Sequence, residues 1–201
     1  MNKSLTMPRS PAIARLPEYL SLTSYRNPGS MTGSSTPFQY GNSTPLPFYN
    51  ALGLNPSARS GLDAQMRAHV QLERSNYKAG FASIYDFEGI VNPLISDETS
   101  VAIVDMGGSK GHVLEDVRVH IPQLKGRLIL QDLPEVLWDV DIDEVELMSH
   151  DFLKDKQPVV GAVVYLFRQI FLNWNDEKGL QILKNTSRLP HLRVILTELM
   201  K

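Results

Sequence analysis

The stretch AIVDMGGSKGH, residues 102–112, runs from apolar residues through Asp105 and Met106 into two adjacent glycines and, two residues later, a third. An apolar strand that breaks on glycines reads as a tight turn, because glycine alone adopts positive φ freely and lets backbone come close to a ligand. The residues after it take up a helical pattern, and the same alternation continues downstream. RLILQD (127–132), VELMSHD (145–151), AVVYLF (162–167) and LRVILTEL (192–199) are short apolar runs of strand character. Helical segments fall between them, around 111–120, 134–139 and 175–186. Near-continuous apolar strands separated by helices predict a parallel sheet covered on both faces, an α/β doubly wound fold. No internal repeat is visible.

The polar residues in this pattern sit at or near strand ends. Asp105, Asp132, His150 with Asp151, Arg168 and Glu198 each close an apolar run. In open α/β sheets the ligand crevice lies outside the carboxyl ends of the strands. The ligand's chemistry follows from the turn. Its spacing is G-G-x-x-G, Gly107 to Gly111, and differs from the G-x-G-x-x-G of dinucleotide sites. Asp105 stands directly before it, where a carboxylate opposes a phosphate and suits a cationic group. S-adenosylmethionine, with its sulfonium, amino group, ribose and adenine, fits that description. Asp132 can accept both ribose hydroxyls, and Asp151 with Phe152 can supply an acceptor for the adenine amino group and an apolar face.

Residues 1–50 are rich in Ser, Thr, Pro, Gly and Asn and read as irregular chain, although their aromatics, Phe38 among them, argue for packing. Residues 51–100 form a helical lead-in, with Leu62, Met66 and Val70 on one helical face. Residues 101–201 are the ligand-binding part. Phe38, Met66 and Trp174 are candidates for substrate contact. A net charge of -2 gives no broad footprint for nucleic acid or an anionic membrane surface. No apolar stretch reaches the ~20 residues of a membrane helix, and no metal-ligand cluster is visible. The absence of cysteine fits a cytoplasmic protein, while the basic, acid-free N-terminus leaves an organelle transit signal conceivable.

VDMGGSKGH, GRLILQDLPEV, MSHDFL and YLFRQIFLNWNDEKGLQILKN resemble the fungal branch of the plant-type, metal-independent O-methyltransferases. ARLPEYLSLTSYRNP and TPFQYGNSTPLPFYNAL resemble segments just before that family's catalytic domain, so the likeness spans residues 14–200. The resemblance implies a Rossmann-like core that binds S-adenosylmethionine and methylates a small-molecule hydroxyl, such as that of a polyketide. It assigns Gly107 and Gly108 to the methionine part, Asp132 to the ribose, Asp151 and Phe152 to the adenine, and Arg168 to closing the cofactor site. Ser109 stands where glycine is usual.

Two departures matter. After the arginine the family reads I-L-H-D-W, with the histidine as general base. Here the segment is IFLNW, so Leu172 takes the histidine's place and Asn173 the aspartate's. Glu198 matches a flanking acid that is left without its base. The resemblance also leads us to expect a winged-helix dimerisation domain before this chain and two more strands after it. The fold is therefore expected to be incomplete after the fifth strand, with an exposed sheet edge open to association. Alternative readings are a cofactor-binding pericyclase or dehydratase, and an inactive truncated remnant.

Overall fold

A computed structural model describes residues 10–27, 36–76, 80–186 and 194–197. The five apolar runs form β1 (Val101–Met106), β2 (Arg127–Asp132), β3 (Val145–Ser149), β4 (Val164–Arg168) and β5 (Val194–Thr197). All neighbouring pairs are parallel, and the strand order is β3-β2-β1-β4-β5. The order reverses between β1 and β4, which places the switch point beside the end of β1.

The chain divides into two compact units, Met1–His69 and Val70–Lys201. In the first, the reading of residues 1–50 as irregular is corrected. They contain α1 (Ser10–Ala14), α2 (Leu16–Leu22), α3 (Pro37–Asn42) and the start of α4 (Phe48–Gly53). Pro17 and Pro37, two of the prolines that suggested broken chain, stand in the first turns of α2 and α3, where a missing N–H costs nothing. Thr36 and Gln39 add a reciprocal capping box to α3. Tyr19 packs on Tyr40 with ring centres 5.6 Å apart, and the Arg15 guanidinium lies 4.3 Å from the centre of the Tyr40 ring. Phe38 meets Phe48 edge-on at 5.2 Å. The helix α5 (Pro56–Asn76) spans the predicted amphipathic stretch, with Leu62 and Met66 half-buried.

In the second unit α6 (Phe87–Val91), α7 (His112–His120), α8 (Pro134–Leu137) and α9 (Asp176–Thr186) accompany the sheet. The pleat of the strands sorts their side chains onto two faces. Ile103, Leu128, Leu130, Val164 and Leu166 pack with Val113, Leu114 and Val117 of α7 and with Phe87 and Val91 of α6. The alternate residues Val104, Met106, Ile129, Tyr165 and Phe167 pack with Ile182 of α9. Each such fully buried side chain contributes about 1.5–3 kcal/mol.

That alternation positions the site. Asp105 pairs in register with Leu130 on one side and Leu166 on the other. Asp132 and Arg168 lie two residues further along β2 and β4, so all three polar residues emerge on the α7 face at the carboxyl ends.

Candidate cofactor site

The turn after β1 needs its glycines for different reasons. Gly107 has φ +70°, and a Cβ there would press on Phe152 and Ile170 at 2.9 and 2.8 Å. Gly108 needs no unusual backbone, but a Cβ would overlap the Asp105 carboxylate and Leu130. Gly111, at φ +73°, caps α7 and would collide with Ile142 and Leu130 if it carried a side chain. Ser109 also adopts a left-handed conformation, φ 55°, which explains why glycine suits that place. Such a backbone costs roughly 1–2 kcal/mol for an L-residue. Its N–H donates to Asp132 Oδ2 at 2.8 Å, a charge-assisted bond that offsets the strain.

The backbone N–H groups of Gly107 and Gly108 both donate to the Gln131 carbonyl, at 2.7 and 3.2 Å. Gln131 and Asp132, the last two residues of β2, thus hold the turn. Asp132 Oδ1 also accepts from the Leu133 N–H at 2.7 Å.

Asp105 is 1% exposed, and its Oδ2 has no hydrogen-bond partner. A bare carboxylate oxygen so deeply buried is costly, and proteins place such groups where a ligand completes them. Burial pushes this carboxyl up to about 7, with the Arg168 guanidinium pulling the other way and the Asp132 charge adding to the rise. In the unfolded chain an aspartate ionises near ~3.9. Between those values the folded state holds the extra proton, so the stabilisation is fully present below the lower value and is lost as pH rises to about 7. We expect the unfolding free energy of the ligand-free protein to fall between pH 5 and pH 8. Asp105→Asn should flatten that fall, as read by urea titration at both pH values.

Asp151 follows β3. Burial works against its charge, but the Lys154 ammonium at 2.8 Å and the Leu153 N–H at 3.1 Å hold its carboxyl below the ordinary value. Phe152 stands beside Gly107, with Trp174 edge-on to it at 6.3 Å. Burial lowers the imidazole of His150, 7% exposed, below its ordinary value, outweighing the pull of Asp155 and Asp151. Its backbone N–H donates to the Asp132 carbonyl at 2.9 Å. Leu172 lies in a single helical turn, Phe171–Asn173, and is 51% exposed. The Asn173 side chain donates to the Gln169 carbonyl at 2.8 Å.

The structure therefore brings together Asp105, Gly107, Gly108, Asp132 and Arg168, with Phe152 against the turn and Trp174 edge-on to Phe152. Phe38 and Met66 belong to the first unit. Glu198 lies outside the described residues. Reading the sequence missed the buried Gln131 and Gln157, which bond to each other. Gln131 showed only as an amide before the closing Asp132 of an otherwise apolar strand, and Gln157, between β3 and β4, carried no signal. Among the described residues no helix is long and apolar enough to cross a membrane, and no group of three metal-ligating side chains is present.

The features of the turn fit S-adenosylmethionine: a buried carboxylate oxygen of Asp105 without a partner for a cation, the Asp132 carboxylate at the end of β2 for hydroxyls, and a cradle that side chains would fill. Comparison with known proteins adds to this. Residues 64–201 match the O-methyltransferase domain family. Methyltransferase cfoC of Aspergillus candidus is 32% identical over 87% of this chain, which spans 42% of that protein. The structure of LepI in complex with SAM superposes with a TM-score of 0.75 and 26% identity, over 92% of this chain and 47% of LepI. A structure described as a pericyclic reaction enzyme matches with the same TM-score of 0.75, 26% identity and coverage of 92% and 47%. The chain thus spans about half the length of the proteins it matches.

Proposed function

The chain belongs to the O-methyltransferase domain family, and from that premise we propose that it binds S-adenosylmethionine at the carboxyl ends of β1, β2 and β3 and serves methyl transfer to a hydroxyl of a small molecule, such as a fungal polyketide. The observation that carries this reading is Asp105, whose buried Oδ2 lacks a partner directly before the glycine turn. The cofactor supplies an activated methyl group. The residues of this chain hold it: Gly107 and Gly108 admit the methionine part, Asp105 faces its positive charge, and Asp132 accepts from the ribose. Asp151 and Phe152 take the adenine, and Arg168 closes the site. Trp174 belongs to the substrate wall in this reading. We place the protein in the cytoplasm. The outer edge of β5, which pairs with β4 on its other side, offers backbone groups for association with further strands.

Methylation of an ordinary hydroxyl needs a proton acceptor, and Leu172 supplies none. Without that base the favoured acceptor is an acidic phenol, already ionised near neutral pH. Incubation with labelled S-adenosylmethionine and phenols of graded acidity tests this. Methyl transfer confined to the most acidic phenols is expected, and no transfer to any phenol by a folded, cofactor-binding sample contradicts the proposal.

A second reading has a specific support. Leu172 in the place of the base and the similarity to a pericyclic reaction enzyme suit a protein that binds the same cofactor and uses its fixed positive charge without giving up the methyl group. An unchanged cofactor at the end of substrate turnover distinguishes it.

A further inference from the structure

Two glutamine side chains are buried against the sheet on the face opposite Asp105. Gln131 is 1% exposed and Gln157 6%. They pair reciprocally: Gln131 Nε2 donates to Gln157 Oε1 at 2.9 Å, and Gln157 Nε2 donates to Gln131 Oε1 at 2.8 Å. The remaining capacity of Gln157 is also used. Its Nε2 donates to Met106 Sδ at 2.7 Å, and its Oε1 accepts from the Val159 N–H at 3.0 Å. Gln131 Nε2 further reaches Met148 Sδ at 3.1 Å. Buried amides are costly unless satisfied, and a satisfied pair fixes one orientation where two leucines would fill the space in several.

What that orientation fixes is the turn. The Gln131 carbonyl carries the Gly107 and Gly108 N–H groups, and the next residue, Asp132, carries the Ser109 N–H. Gln157 also reaches the other flank. Its backbone N–H donates to the Asn185 carbonyl at 3.0 Å, and Asn185 Nδ2 donates to the Phe152 carbonyl at 2.9 Å. One residue thus links the end of β2 to the segment that carries Asp151 and Phe152. We propose that the side chain of Gln157 is a positioning group for the cofactor site, acting through Gln131 on the glycine turn. This rests on the reading of the site as the place of S-adenosylmethionine.

The test compares wild type, Gln157→Leu and Gln157→Glu for S-adenosylmethionine affinity by calorimetry, with thermal unfolding in parallel. Gln157→Leu is expected to weaken binding by roughly tenfold in a sample that is still folded at the assay temperature, the equivalent of one lost buried hydrogen bond. Gln157→Glu keeps the volume and supplies the control that a loss of packing cannot imitate. Protonated, it still donates to Gln131 Oε1; ionised, it sets a charge against that oxygen. Its affinity relative to wild type is expected to be near unity at pH 6 and to fall severalfold at pH 9, because burial raises the pH at which a carboxyl ionises. A Gln157→Leu affinity within twofold of wild type, or a Gln157→Glu ratio that does not change with pH, overturns the proposal. If Gln157→Leu does not fold, the pH series of Gln157→Glu decides alone. A wild-type chain that binds no S-adenosylmethionine overturns the cofactor reading itself, and the proposal with it, and is seen in the wild-type arm.

Discussion

Leu172→His is expected to raise methyl transfer to weakly acidic phenols by about 10²–10⁴-fold, the usual worth of a positioned general base. The position can take the change. Leu172 is 51% exposed in a short turn, so an imidazole needs no room in the core. The proton acceptor would then follow the strand that ends in Arg168 and precede Trp174, whose ring meets Phe152. Asn173, in the place of the family's aspartate, already donates to the Gln169 carbonyl and offers no negative charge to orient the ring. The double variant Leu172→His, Asn173→Asp is therefore expected to exceed the single one. Initial rates across phenols of graded acidity provide the measurement: wild type should depend steeply on phenol acidity and the variant weakly. A variant that gains no transfer while losing some other native conversion favours the pericyclic reading.

Asp132→Ala is expected to weaken S-adenosylmethionine binding by about 1.5–3 kcal/mol, roughly 10–150-fold, the worth of a lost hydrogen bond to a charged group. Two causes are mixed in that figure. The carboxylate holds Ser109 and Leu133 within the chain, and in the proposed complex it also accepts from the ribose. A cofactor analogue without ribose hydroxyls separates them. Wild type should bind the analogue much more weakly than the parent compound, and Asp132→Ala should bind the two alike. Equal discrimination by both proteins would show that Asp132 serves only the turn.

The strands of the second unit were legible because their apolar runs are short, continuous and interrupted by helical patterns. β1 and β2 fall where VAIVDM and RLILQD place them. Their carboxylates were legible because a charge closing an apolar run has few structural uses. The small helices before residue 54 were not, since proline was read as a breaker without regard to its place in a first turn. Thr36, Pro37 and Gln39 carried a start signal that composition hid. The Gln131–Gln157 pair escaped for another reason. Residues 131 and 157 are joined only by the fold, and a single amide at the end of a strand looks like solvent-facing punctuation until its partner is seen. Likewise, Asp132 was read for the ligand alone, because the bond from Ser109 depends on a left-handed backbone that sequence does not display.

Calorimetric titration of the folded chain with S-adenosylmethionine tests the central claim most directly. The account predicts a saturable heat with one cofactor per chain, tightening as pH rises through about 7 because Asp105 must give up its proton to face a cation. A folded sample that releases no heat across that pH range contradicts it.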